Sequence, residues 1–291
     1  MGSFPMPANL VDSARSDGRL AWLATVPDTV RAVARRWDLE VGEPFLPGGR
    51  TAWVAPARSP DRADLVLKIA WRHPEAEHEA DGLRAWNGQG AVRLHAADEV
   101  DAHTIALLLE RCQPGSALAT RPEEEQDTIV AGLLHRLWVT PEPGHPFPSL
   151  QVMCDAWADE FDAKHSAGRV SIDPGLVREG LALFRALPAG DNRTVLLCTD
   201  LHAGNVLAAE REPWLVIDPK PHVGDRTYDA LQHLLNCDER LQGDPRRLAW
   251  RVADLLELDP DRLLLWLFAR CVVESPDSPW LADVARQVAP V

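Results

Sequence analysis

Residues 199–225 read Thr199-Asp-Leu-His-Ala-Gly-Asn-Val-Leu-Ala-Ala-Glu-Arg-Glu-Pro-Trp-Leu-Val-Ile-Asp-Pro-Lys-Pro-His-Val-Gly-Asp225, the densest polar constellation in the chain. Asp200, His202 and Asn205 fall in a short loop between apolar runs expected to be strands at 194–198 and 206–208. A third strand, Trp214–Ile217, follows a tight turn at Glu210–Glu212 and ends on Asp218. A hairpin of that length folds the end of its second strand back beside the loop that precedes its first, so Asp200, Asn205 and Asp218 converge. One carboxylate with one amide oxygen supplies the hard ligands Mg²⁺ prefers and leaves positions for water and phosphate oxygens. The other carboxylate can accept or orient a hydroxyl proton. That division of labour is the one phosphoryl transfer requires.

Upstream of this segment the pattern is mainly that of strands. Leu46-Pro-Gly-Gly-Arg50 is a glycine turn running into an alternating stretch, and Asp64-Leu-Val-Leu-Lys-Ile-Ala-Trp71 is a second strand. Val92–His95 and His103–Glu110 read as a further pair around an acidic turn at Asp98–Asp101. His73-Pro-Glu opens a helix that runs through Leu83 and Trp86. Nearer the N-terminus, Leu20, Leu23, Val30, Val33 and Trp37 keep helical spacing around Pro27, with Asp28 placed to cap a second piece, so two short helices are expected. Beyond Cys112 helices take over, at about 121–138, 150–166, 174–187 and most of the chain after Asp225. Strands in front and helices behind predict an α+β protein in two lobes with a cleft, at 1–112 and 113–291.

Composition narrows the function. The 291 residues are 46% hydrophobic and 25% charged, which supports a real core and excludes disorder as the main state. A net charge of −14 argues against a nucleic-acid partner and suits a cationic small molecule. No apolar window has membrane-spanning length and residues 1–20 lack a secretory leader pattern, so a cytoplasmic protein is expected. Five scattered cysteines without CxxC spacing speak against both a disulfide framework and a zinc–thiolate site. The only lysines are Lys68, Lys164 and Lys220. In a chain that otherwise uses arginine, a retained lysine marks either a demand for a compact ammonium or a chance survivor.

The interval from Asp200 to Asn205, with a second acid further on, matches the kinase set of catalytic Asp, Asn and metal-binding Asp. Through the 199–225 segment the chain resembles the aminoglycoside phosphotransferase family, in particular its streptomycin 6-kinase/hydroxyurea phosphotransferase group. The order of N-lobe, hinge, catalytic loop and metal Asp extends the resemblance over most of the chain. It implies a two-lobed protein-kinase-like fold, with a β-rich nucleotide-binding lobe and a helical lobe that carries the catalytic loop and acceptor site. It implies ATP and Mg²⁺ as cofactors, Asp200 as catalytic base or hydroxyl-orienting group, and Asn205 and Asp218 as metal ligands. Lys68 then contacts the α- and β-phosphates, with Glu79, or alternatively Glu75, as its partner. Gly48 and Gly49 stand where a nucleotide-covering loop belongs, although without a GxGxxG pattern they read equally as a hairpin turn. Glu110–Cys112 stands at the hinge that pairs with adenine. Two departures are visible. Cys198-Thr199 replaces the commoner lead-in before Asp200, and Pro219 follows Asp218, which predicts extended geometry at Asp218, a segment that does not flip, and constitutive activity. The acceptor implied is a small cationic molecule, streptomycin at its 6-position first and hydroxyurea or another small metabolite next.

Other polar residues have structural readings. His202 is expected to scaffold the loop, and Asp225 and Asp229 to cap the following helix and brace the loop. Lys220 either meets a phosphate or is solvated. An Asp-x-His pair at Asp200 and His202 also opens some binuclear metallophosphatases, but the chain has no Asn-His and no His-x-His. A pseudokinase regulator is the reading of another class. Its usual signature is loss of Lys68, Asp200, Asn205 or Asp218, and all four are present.

Overall fold

Alternation along Asp64–Trp71 sets the first sheet: Leu67 and Ile69 turn into a hydrophobic core, which leaves Val66, Lys68 and Ala70 on the other face. In the computed structural model, which describes residues 4–166, 172–190 and 194–290, five strands form one antiparallel sheet. They are β1 (Glu40–Val41), β2 (Ala52–Arg58), β3 (Asp64–Trp71), β4 (Leu94–Asp101) and β5 (Thr104–Glu110), in the order β1-β2-β3-β5-β4. Helices α1 (Ala8–Ser16) and α2 (Leu20–Arg36) cover the Leu67 face, and α3 (Glu79–Trp86) follows β3.

Two expectations are corrected here. The chain does not break at Pro27, and α2 runs straight through it. Trp22, Val26, Val30 and Val33 continue one buried stripe on both sides of the proline. Burying such side chains contributes about 1.5–3 kcal/mol each, more in sum than the ~3 kcal/mol a helical proline costs. The acids Asp98–Asp101 are no turn but the end of β4, paired with Thr104–Ala106. They are tolerated because β4 is an edge strand, where charge also discourages further pairing.

The second unit is built on helices α4 (Glu123–Leu137), α5 (Leu150–Ser166), α6 (Pro174–Ala186), α7 (Leu231–Leu235), α8 (Asp238–Gly243), α9 (Pro245–Leu256), α10 (Pro260–Glu274) and α11 (Leu281–Val288). Helix α10 is its core element, buried almost all round from Leu263 to Val273, which explains its weak amphipathic pattern. Two small antiparallel ladders carry the polar segment: β6 (Thr194–Leu197) with β9 (His222–Asp225), and β7 (Val206–Ala208) with β8 (Trp214–Val216). Strand β9 was not expected, because His222-Val-Gly-Asp is too short to show a period. The units do not follow one cut in the sequence. The first comprises Met1–Gly115 and the β7–β8 turn Ala209–Pro213, and the second comprises Ser116–Ala208 and Trp214–Val291. Among the described residues no helix is long and apolar enough to cross a membrane.

Candidate active site

In the first unit Lys68 sits mid-strand, opposite Val54 and Leu107, and its ammonium reaches both carboxylate oxygens of Glu79 at 2.8 and 2.7 Å. Helix periodicity selects Glu79. With Gly82, Leu83 and Trp86 it forms the buried i, i+3, i+4, i+7 stripe of α3, whereas Glu75 lies in the preceding single turn Pro74–Ala76. Lys68 and Glu79 are 7% and 3% exposed, so this is a buried ion pair.

The glycine turn is tied to the N-terminus. Gly48 has φ 84°, its carbonyl accepts from Asn9 Nδ2 at 3.1 Å, and a Cβ there would lie 2.3 Å from Pro7 Cβ. A Cβ at Gly49 would meet only Ala52 O, at 3.6 Å. At the end of β5 the Glu110 N–H donates to Arg93 O, and the Glu110 carboxylate accepts from Arg93 N–H at 2.9 Å. Cys112, two residues on, is half-buried, and burial pushes its thiol up to about 11.

In the second unit the hairpin does what its length predicts. Asn205 Nδ2 donates to Asp200 O at 3.0 Å and to Asp200 Oδ2 at 3.3 Å. The Ile217 N–H donates to Asn205 O at 2.9 Å, which brings the end of β8, and with it Asp218, against the loop. Lys220 closes the arrangement: its N–H donates to Cys198 O, its carbonyl accepts from Thr199 Oγ1 at 2.5 Å, and its Nζ lies 2.8 Å from Asp218 Oδ1. Asp200, Asn205 and Asp218 are thus together and half-buried, and Lys220 is an ion-pair partner rather than a solvated cation. His202 accepts from the Gly204 N–H at Nδ1; burial, then the nearby His233, lower its pKa, as suits a neutral scaffold.

The backbone here departs from the extended geometry expected before Pro219. Asp218 has φ 53°, and Thr199, just before Asp200, has φ 51°. Aspartate tolerates the left-handed region, but for a β-branched threonine it is a genuine outlier. Such strain costs about 1–3 kcal/mol per residue and persists only where surrounding bonds enforce it. The three Lys220 contacts enforce it on both strands of the hairpin base.

Residues 36–283 match the family described as aminoglycoside/hydroxyurea antibiotic resistance kinase. The chain belongs to that family. It is a phosphotransferase with an alcohol group as acceptor, and its fold is the α+β protein-kinase-like one. The chain is 35% identical over 285 residues to a streptomycin 6-kinase of Streptomyces griseus, covering 91% of this chain and 88% of that one. It is 36% identical over 281 residues to a hydroxyurea phosphotransferase of Kitasatospora aureofaciens, covering 92% and 78%. Among solved structures, a thermostable mutant of aminoglycoside phosphotransferase APH(4)-Ia in ternary complex with ADP and hygromycin B superposes with a TM-score of 0.60 at 15% identity, over 90% of this chain and 99% of that one.

The two acids read together as cap and brace divide the work in this kinase. Asp225 caps the single turn Arg226–Ala230 through the Thr227 N–H and accepts from Trp266 Nε1 at 2.6 Å and Arg262 Nε at 2.8 Å. Asp229, fully buried, accepts from the Cys198 N–H at 3.0 Å, the Thr199 N–H at 2.6 Å and Trp138 Nε1 at 3.0 Å, so it holds the strained residue that precedes Asp200. Burial pushes its carboxyl up to about 6 against the pull of those three donors.

Arg211 and Asp127 escaped the sequence reading. In the first unit Arg211 donates to both Glu110 oxygens at 2.7 and 2.8 Å and to the Gly88 and Ala91 carbonyls at 2.6 and 3.0 Å. Burial raises the Glu110 carboxyl, but the Arg211 bonds outweigh it and hold the pKa below its ordinary value. In the second unit Asp127, buried on α4, takes Arg240 on both oxygens at 3.0 and 2.7 Å, Arg251 at 2.7 Å and His233 Nε2 at 2.8 Å. Asp127, His233 and Cys237 are close enough together to hold a metal ion, but two fixed guanidinium charges on the carboxylate oppose one. Neither residue stands in a readable motif. Their only signals are an arginine at a hairpin tip and an acid on the apolar face of a helix.

Proposed function

We propose that this kinase uses Mg²⁺ and ATP to phosphorylate a hydroxyl of a small cationic acceptor, streptomycin at its 6-position being the first choice. The observation that carries the reading is the Asp200–Asn205–Asp218 cluster, closed by the Ile217–Asn205 and Lys220–Cys198 hydrogen bonds. In the second unit Asp200 orients the acceptor hydroxyl and takes its proton. The donor set fits Mg²⁺: Asn205 turns its amide nitrogen to Asp200, which makes its oxygen the ligand atom, and Asp218 contributes a carboxylate. When bound, Mg²⁺ neutralises charge on the phosphate oxygens. In the first unit Lys68, oriented by Glu79, pairs with the α- and β-phosphates. Gly49, whose Cα is the less encumbered of the pair, covers the phosphates, and adenine is met by backbone beyond the committed N–H of Glu110, at Cys112. Residues 1–112 thus serve the nucleotide and 113–291 the acceptor, in the cytoplasm where Mg²⁺–ATP and reduced thiols coexist.

The −14 net charge and the Streptomyces griseus relative support the streptomycin reading. The Kitasatospora aureofaciens relative, at 36% identity, favours hydroxyurea as the second. The test is ADP release by the purified protein with Mg²⁺–ATP, with each acceptor and with none, beside an Asp200→Asn control and a product mass. A streptomycin-dependent, Asp200-dependent rate with a phosphate-sized mass gain is expected. Stimulation by hydroxyurea alone overturns the choice of acceptor, and absence of nucleotide binding overturns the site.

A further inference from the structure

The turn Pro47–Arg50 is held from outside by a segment that lies before residue 36, where the family match begins. Five contacts make the attachment. Trp53, in the strand that follows the turn, donates from Nε1 to Pro5 O at 3.1 Å, and its ring packs on Phe4 at 5.4 Å between centroids. Pro7 lies directly over the Gly48 Cα, leaving no space for a side chain. Asn9 Nδ2 donates to Gly48 O at 3.1 Å. Arg19, itself buried and fixed by Ser13 Oγ and Asp17 Oδ2 at 2.6 Å each, donates to Arg50 O at 3.3 Å.

Two carbonyls of the turn, at 48 and 50, are therefore taken by one segment. A trans peptide unit is planar, with its C=O and N–H pointing in opposite directions. Fixing the Gly48 and Arg50 carbonyls toward Asn9 and Arg19 accordingly turns the N–H groups of Gly49 and Thr51 the other way. Backbone N–H groups turned away from their own fold in this manner are donors that an anion can take. We infer that residues 4–19 are a splint that sets this turn in its phosphate-covering form, with Pro7, Asn9 and Arg19 as positioning residues for nucleotide. The inference rests on the reading of the turn as the nucleotide-covering loop. It explains how a turn without a GxGxxG pattern serves that purpose: its order comes from residues 4–19.

The test separates the splint from the reading beneath it. Pro7→Gly/Asn9→Ala loosens the splint without touching the turn, and Gly49→Glu places a negative charge on the turn where its Cβ has room. Steady-state kinetics are measured for each with ATP and acceptor varied separately, together with thermal midpoints. The splint variant is expected to raise KM for ATP about tenfold, the weight of one or two lost backbone contacts, with kcat and acceptor KM unchanged. Asn9→Gln, which keeps an amide donor, recovers part of the loss. Gly49→Glu raises the same KM at least as much. If Gly49→Glu raises KM and the splint variant does not, the splint is overturned while the nucleotide turn stands. If Gly49→Glu has no effect, the nucleotide turn fails and the splint with it. Equal losses in kcat and both KM values, with a lowered thermal midpoint, would reduce residues 4–19 to a structural role and overturn the inference.

Discussion

Protonation of Asp229 should lower activity while favouring the folded state. Its carboxyl faces three N–H donors, those of Cys198, Thr199 and Trp138, and burial raises its pKa from 3.8 to about 6. Between these two values the folded chain binds more protons at this site than the unfolded chain does. This group's stabilising contribution is therefore fully present below pH 3.8 and is lost as pH rises through 6, a span of about 3 kcal/mol at 1.36 kcal/mol per unit. The protonated acid meanwhile has one acceptor fewer for the donors that hold Thr199 at φ 51°, so Asp200 loses its placement. Misplacement by an ångström costs about 10²-fold in rate. A pH–rate profile of wild type and Asp229→Asn between pH 5 and 8 checks this, with chemical denaturation over the same range. Wild-type kcat should fall below about pH 6, whereas the Asn variant, fixed in the neutral form, should start about 10- to 100-fold lower and show neither that limb nor the associated stability change. A limb at pH 6 that survives in Asp229→Asn would refute the reasoning, because the titrating group would then lie elsewhere.

Three further outcomes are expected. Asp200→Ala should lose several orders of magnitude in kcat while still binding nucleotide, and Asp218→Ala should weaken Mg²⁺-dependent nucleotide binding; equal, mild losses in kinetics and calorimetry would contradict both roles. Glu79→Gln removes the carboxylate that the buried Lys68 ammonium meets through both oxygens and should cost about 3–5 kcal/mol in denaturant titration, together with a raised KM for ATP. Arg211→Ala removes the two-pronged bond to Glu110 and two carbonyl contacts, so the thermal midpoint should fall by several degrees, with Arg211→Lys recovering only part because an ammonium cannot reproduce the fork.

What was legible followed from chemistry concentrated in sequence. Asp200, Asn205 and Asp218 lie on one hairpin, so a short-range argument brought them together, and Lys68 stood out as a lysine on an apolar strand. Glu79 over Glu75 was also within reach, because only Glu79 keeps phase with Leu83 and Trp86. The misses have long-range causes. Pro27 stays inside α2 because the sheet below pays for it, and a sequence window shows the proline but not the sheet. Asp98–Asp101 is a strand because β5 pairs with it. The network around Asp127 joins residues more than a hundred positions apart, and nothing local to Asp127, Arg240 or Arg251 announces the others.

The φ values at Thr199 and Asp218 tie these threads together. Glycine would adopt either conformation without strain, yet the chain keeps a threonine and an aspartate there, because each side chain makes a bond of the site: Thr199 Oγ1 holds Lys220 O, and the Asp218 carboxylate pairs with Lys220 Nζ. The strain must then be offset by the surrounding bonds, namely those of the Asp229 carboxylate on the Thr199 side and of Lys220 on both. A hairpin made this way has one arrangement rather than several, since relaxing either residue gives up the bonds that join the two strands at their base. The same logic recurs in the first unit, where the missing Cβ of Gly48 permits both its φ of 84° and the close approach of Pro7, and where Asn9 and Arg19 fix the Gly48 and Arg50 carbonyls. The groups proposed to act in this kinase are therefore held by neighbouring side chains and backbone, and changes at those neighbours should alter rate constants before they alter the fold.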